Sequence, residues 1–288
     1  MYALVDIVQG ILMAIFQGIV EWLPISSEGQ LSLLFVNFYG MDELEAVTLA
    51  LLLHIGTMMS VLWYFRTEFL QLIDIREGIK NKITQITIFA TLGTAITAIP
   101  LVLLFKTNWI TLSESIPLPT DLLFTLLIGF LLILTGLILS KQPDQGNREM
   151  NSITNKEALV LGMAQGIAAL PGISRSGMTI TFLLVIGLTQ RDALRTSFII
   201  SVPAVLGATI LEFLLTGFSI QRDSVIIGNI IFPYLLVIFI ILLTCFIGII
   251  TMNALLKFKN VPFDQFCIGF GIITILLALV LLIIRVVS

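Results

Sequence analysis

The sequence predicts an all-α polytopic membrane protein, with six transmembrane helices plus two re-entrant broken helix pairs in an inverted-topology repeat. Three observations carry this reading. The 288 residues are 58% hydrophobic and only 11% charged, with a mean hydropathy of +1.08, where soluble domains have roughly 45–50% apolar and about 25% charged residues. Six apolar runs reach the roughly 20 residues that a bilayer-crossing helix needs. Two further apolar segments are each interrupted by a polar turn, and the two turns resemble each other. A net charge of −3, one histidine and two cysteines exclude a basic nucleic-acid surface, a zinc or iron–sulfur ligand set and a disulfide framework.

The first broken segment covers 3–38 and is interrupted by LPISSEGQ at 23–30, so it reads as two half-helices around a turn. Asp6 and Gln9 inside its apolar start, with no preceding cationic stretch, argue against a cleaved leader. Spans follow at 44–65, 84–105 and 121–139. Asp42, Glu43 and Glu45 read as an exposed acidic loop, and the mixed run from Arg66 to Lys82 as an interfacial segment. The second broken segment, 158–188, carries PGISRSG at 171–177, and spans at 196–216, 230–256 and 266–284 complete the chain. Cys245 and Cys267 lie in apolar runs and read as packing residues.

Unpaired backbone groups cannot face lipid, so both polar turns must be buried in protein or line a wet cavity. With each broken segment returning to the side it enters, eleven of the fifteen Lys and Arg residues fall on one side and three on the other, with Arg175 left within the membrane. The richer side is then cytoplasmic, and both termini and the mouth of the first broken segment face outward. A shift of 148 positions pairs QGIVEWLPISSEG at 17–29 with QGIAALPGISRSG at 165–177, with six identities. This defines halves of about 1–145 and 146–288 within a single membrane domain. An odd number of spans per half makes the repeat inverted, and broken helices in matching positions point to a binding site.

Arg175 is the most informative residue, because a guanidinium at membrane depth needs an anionic partner or a wet cavity. Ser174, Ser176, Gly177 and Thr179 around it add hydroxyls and the N–H groups of a helix start, which suit phosphate oxygens. Gln17 and Glu21 stand one helical turn apart just before Pro24 and can face one cavity. A carboxylate beside a phosphate needs a proton or a divalent cation, so Glu21 reads as a base, a magnesium or calcium ligand, or the counter-ion of Arg175. Ser26 reads foremost as a helix cap. Glu28 is unusual at depth unless it sits at a wet mouth, and His54 suits either interhelical packing or proton transfer.

These residues resemble the undecaprenyl-diphosphatase family, integral-membrane enzymes associated with bacitracin resistance, over nearly the whole chain. QGIVEWLPISSEGQ at 17–30 fits its (E/Q)xxxE motif and PxSS turn, PGISRSGMTI at 171–180 fits its PGxSRSGxT pattern, and LHIGT at 53–57 resembles a further recurrent stretch. The resemblance implies hydrolysis of a polyprenyl diphosphate to the monophosphate for lipid-carrier recycling. It also implies Mg2+ or Ca2+, a multi-pass protein of the cell membrane with its site opening outward, and it allows a homodimer. Position by position it makes Glu21 the essential acid and metal ligand, Ser27 a catalytic serine and Arg175 the phosphate-binding arginine. Gln17, Ser26, Ser174, Ser176, Gly177 and Thr179 then line the substrate, and Glu28 and His54 are candidates for proton transfer. The chain departs from the family at Gln30, where a histidine is usual. Glutamine cannot act as a base, which keeps a transporter or flippase of a polyprenyl-phosphate lipid as the alternative.

Overall fold

The computed structural model describes residues 3–4, 7–73, 81–116, 118–140, 146–216, 219–220, 224–227, 230–257 and 262–287. A two-residue strand β1 (Ala3–Leu4) precedes the broken pair α1 (Ile7–Val20) and α2 (Ser27–Tyr39). The span α3 (Glu43–Tyr64), the short α4 (Arg66–Ile73) and the spans α5 (Lys82–Ser115) and α6 (Thr120–Leu139) follow. A 3-10 turn at Met150–Ser152 leads to the second broken pair, α7 (Asn155–Ile167) and α8 (Arg175–Val185), and then to the span α9 (Gln190–Thr216). Strands β2 (Ser219–Ile220), β3 (Ser224–Ile227) and β4 (Ile230–Pro233) precede the spans α10 (Tyr234–Leu255) and α11 (Phe263–Val287). Among the described residues, six helices are thus long and apolar enough to cross a membrane.

The span expected at 84–105 is longer, running to Ser115, and three other differences from the sequence reading have local reasons. Thr189 caps α9, its Oγ1 accepting from the Asp192 N–H at 3.2 Å, so the helix starts at Gln190 through polar residues that hydropathy alone discards. Residues 230–233 are strand, because β-branched Ile230 and Ile231 pair across to β3 and Pro233 caps the helix that follows. The acidic group is no loop: Asp42 caps α3 through the Leu44 N–H at 2.9 Å, and Glu43 is buried in its first turn. The small sheet, ordered β1-β4-β3-β2, adds to an otherwise helical protein. By pairing β1 parallel to β4 it starts α1 beside α10.

Packing follows the 148-residue spacing in a crossed manner. The helix α1 packs on α10 and its repeat partner α7 packs on α5, so each half lends the first helix of its broken pair to the other half. At both contacts a glycine allows close approach: a β-carbon on Gly18 would stand 2.8 Å from Ile247, and one on Gly166 would stand 2.7 Å from the Thr94 carbonyl. Threonines stitch both contacts, Thr251 donating to the Gly18 carbonyl at 2.6 Å and Thr97 to that of Met163 at 2.9 Å. The repeat partners α3 and α9 pack on each other, as do α6 and α11.

Of the spans, α3 is the most enclosed, with 61% of its apolar window buried against 11% for α5. That difference puts His54 in the protein interior. Trp22 meets Phe198 edge-on at 5.1 Å in one apolar cluster, and Phe124 and Trp109 do so at 5.5 Å in another. Leu235, Phe246 and Ile283 point outward, as lipid contact requires.

Candidate active site

Each polar turn is made by a helix that stops and another that starts with a serine cap. In the first, α1 ends at Val20, Glu21 continues the helical bonding with its N–H on the Gln17 carbonyl at 3.1 Å, and Ile25 is fully buried. Ser26 caps α2 from a left-handed conformation (φ 56°, ψ 78°), its Oγ accepting from the Gly29 N–H at 3.3 Å. A non-glycine residue held there costs about 1–3 kcal/mol. In the second turn the positive φ falls on Gly172 (99°), and Ser174 caps α8 from an extended conformation, accepting from the Gly177 N–H at 3.1 Å.

The turns meet inside the bundle. Ser176 Oγ donates to the Leu23 carbonyl at 3.2 Å, and Cys267 Sγ donates to that of Pro24. Gly29 and Gly177 are small for this meeting: a β-carbon on the first would stand 3.1 Å from the Gly172 nitrogen, and one on the second 3.3 Å from Pro24. Both α2 and α8 therefore aim their first N–H groups at shared ground, where an anion is favoured.

The Glu21 carboxylate is the hub, and its side chain is only 3% exposed. Its Oε1 takes a guanidinium nitrogen of Arg175. Its Oε2 accepts from Gln17 Nε2 at 2.8 Å and Ser27 Oγ at 2.6 Å, and lies 3.0 Å from His54 Nε2. Ser27 Oγ is itself 3.2 Å from that nitrogen. His54 Nδ1 is 2.8 Å from the Ala50 carbonyl, which can only accept, so Nδ1 carries a proton and Nε2 faces the serine. Arg175 Nη1 is buried with no protein partner among the described residues. A buried guanidinium donor without an acceptor is a place for an anionic oxygen.

A cavity of about 210 Å³ opens beside this cluster. Glu21, Ser26, Ser27, Glu28, His54, Ser174, Arg175 and Ser176 form its polar end, while α5 and α9 supply an apolar arm. Of the residues singled out in the sequence, three do not line it. Gln17 is fully buried and braces Glu21, Gly177 serves the contact between the turns, and Thr179 is fully buried against α9 with its Oγ1 2.6 Å from Ser197 Oγ. Gln30 keeps its Nε2 buried with no protein partner among the described residues and lies outside the cavity wall. Sequence reasoning missed Thr94, which accepts from Gln165 Nε2 at 2.8 Å at the cavity edge. Gln165 was within reach, being the repeat partner of Gln17. It also missed the buried Glu212, which Thr48 and Lys106 hold, the latter at 2.7 Å. Among the described residues no three His, Cys, Asp or Glu side chains form a metal cluster.

Fold and site together define a class: a helical membrane protein in which two broken helices bring an acid–hydroxyl–imidazole group and an arginine together inside the bundle. The chain belongs to the family described as Bacitracin resistance protein BacA, which matches residues 10–280. It is 40% identical over 274 residues to a protein of Methanothrix thermoacetophila named undecaprenyl-diphosphatase, covering 94% of this chain and 97% of that one. A protein of the same name from Methanococcoides burtonii is 34% identical over 278 residues, covering 93% and 97%. Undecaprenyl-diphosphatase 4 of Bacillus cereus is 34% identical over 227 residues, covering 77% and 81%.

Proposed function

We propose that this protein is an integral-membrane phosphatase that hydrolyses a polyprenyl diphosphate, undecaprenyl or a related carrier, to the monophosphate. The observation that carries the reading is the Ser27–His54–Glu21 cluster opposite the unpaired Nη1 of Arg175, in one cavity with an apolar arm. The relatives' names agree with it. A flippase would need the arginine but no activated hydroxyl, so the cluster disfavours that alternative.

In this mechanism Arg175 and the free N–H groups at the starts of α2 and α8 hold the terminal phosphoryl group. Ser27 Oγ forms a bond to its phosphorus while the bridging P–O bond breaks, and polyprenyl monophosphate leaves. The Ser27 hydroxyl, which donates to Glu21 in the structure, turns to His54 Nε2 3.2 Å away and passes its proton there, and Glu21 stabilises the resulting imidazolium. His54 gives that proton to the departing monophosphate; water then attacks the phosphoserine phosphorus and passes a proton to the freed His54 Nε2, the P–Oγ bond breaks, Ser27 Oγ takes the proton back from His54, and phosphate departs. His54 thereby fills the role that Gln30 cannot. Positioning and charge stabilisation supply most of the acceleration, as in phosphoryl transfer generally.

A divalent cation fits only in company with the substrate. Mg2+ is commonly bound by one or two carboxylates plus phosphate oxygens, and the cavity offers Glu28 and Glu21 as those carboxylates. When bound it would neutralise charge on the diphosphate. The site faces outward in this proposal, each broken pair is re-entrant and the halves are inverted. Positions 80 and 222, outside the described residues, test the topology: cysteine at 222 should label from outside and cysteine at 80 should not.

The deciding assay is phosphate release from a C55 polyprenyl diphosphate in detergent, with and without Mg2+ or Ca2+. Release by the wild type and its loss in Arg175→Ala and Glu21→Ala is the expected result. No release, with lipid binding still dependent on Arg175, would overturn the phosphatase reading.

A further inference from the structure

The apolar arm of the cavity has a geometry of its own. Ala98, Ile99 and Val102 of α5 face Ala204, Gly207 and Leu211 of α9 across it. Ile99 lines the cavity and is 43% exposed, and Ile96 of α5 and Leu206 of α9, next to the lining residues but not among them, are exposed as well. The arm therefore reaches the lipid-facing surface sideways, between two helices. One turn beyond Val102, and next to Leu211, the Lys106–Glu212 ion pair, held also by Thr48 of α3, ties the same two helices together.

Gly207 is unlike the glycines at Gly18 and Gly166. A β-carbon on either of those would strike a neighbouring helix, whereas one on Gly207 would meet nothing within 4 Å. Close helix packing does not account for a glycine at this position. The space beside it is the cavity itself, continuous with the phosphate end.

We propose that the slot between α5 and α9 holds the isoprene units adjoining the diphosphate and passes the rest of the chain into the bilayer, with Gly207 as the specificity-determining position. The inference rests on the phosphatase reading and deepens it. An apolar chain fits this wall because the wall carries small and aliphatic side chains, and because exposed apolar residues of α5 and α9 adjoin it.

Two measurements test it. Gly207→Leu removes a helix-weakening glycine and places its side chain in the slot, so the fold should persist. Its kcat/KM for the C55 diphosphate should fall at least tenfold, chiefly through KM, with Gly207→Ala intermediate. Wild-type kinetics in Gly207→Leu would overturn the proposal. Separately, a C15 diphosphate carrying a diazirine on its first isoprene units should crosslink to residues 95–102 and 204–211. Labelling confined to other helices would also overturn it. If the wild type releases no phosphate at all, the phosphatase reading fails instead, and the crosslink still reports on the slot.

Discussion

The two polar turns share a frame and carry different chemistry. At the 148-residue spacing Ser26 corresponds to Ser174 and Gly29 to Gly177, so both turns keep the capping serine and the small residue at their meeting point. The first residue of each following helix differs: Ser27 in α2 and Arg175 in α8. Glu21 corresponds to Ala169 and His54 to Val202. In the proposed mechanism the first turn and its neighbours thus supply the group that reacts and the groups that move its proton, and the second turn supplies the cation that holds the anion. The two turns offer two similarly capped helix starts whose first residues are chemically complementary.

The largest expected contrast tests that division. Ser27→Ala should lower kcat about a thousandfold or more with little change in KM, whereas Arg175→Lys, which keeps charge but loses the planar fork, should raise KM as well. Steady-state kinetics on the C55 diphosphate separates them, and equal effects on both parameters in both variants would erase the distinction. Next in size, His54→Gln should slow kcat by roughly 10²–10⁴, the usual contribution of a positioned general base. A flat response to this substitution would move the proton acceptor to Glu28.

Smaller effects contrast the backbones of the two turns. Ser26 is left-handed and Ser174 is extended, although both cap a helix. Ser26→Gly should be neutral or stabilising, because relief of about 1–3 kcal/mol of strain outweighs the few tenths lost with the cap. Ser174→Gly has no strain to relieve and should destabilise slightly; thermal unfolding in detergent compares the two. Smallest is the capping box that starts α7. Glu157 lies outside the six spans, and its hydrogen bonds from Arg148 hold its carboxyl at about 2. A lowered folded-state pKa gives stability that is complete above the ordinary carboxylate range and lost as pH falls toward 2. Both side chains are partly exposed, so Glu157→Ala should cost only about 1 kcal/mol at neutral pH, a cost that shrinks as pH falls through about 2.

Much of this was legible in the sequence because lipid leaves few alternatives. Apolar length fixed the six spans, and the cost of unpaired backbone marked both turns as buried. Arg175 and Glu21 were conspicuous because buried charge requires a partner. Ser27 drew attention through the family resemblance, since a serine at a turn has ordinary uses. Partner choice across the bundle was hidden: nothing local says that α1 packs on α10, that His54 reaches Ser27 from a separate helix, or that Thr48 and Lys106 meet Glu212. Residues 230–233 misled because Ile and Phe suit a strand as well as a membrane helix.

The crossed packing also bears on how the protein is made. The Gly18 carbonyl receives its hydrogen bond from Thr251, 233 residues later. At roughly 5–20 residues per second of synthesis, the first turn is in place about 10–50 s before the helix that supports it. Chains ending before α10 should therefore insert α1 yet hold Glu21 and Ser27 without their native alignment, and release no phosphate. On the proposed mechanism, the order of synthesis would leave the reacting serine unaligned until nearly the whole chain has entered the membrane.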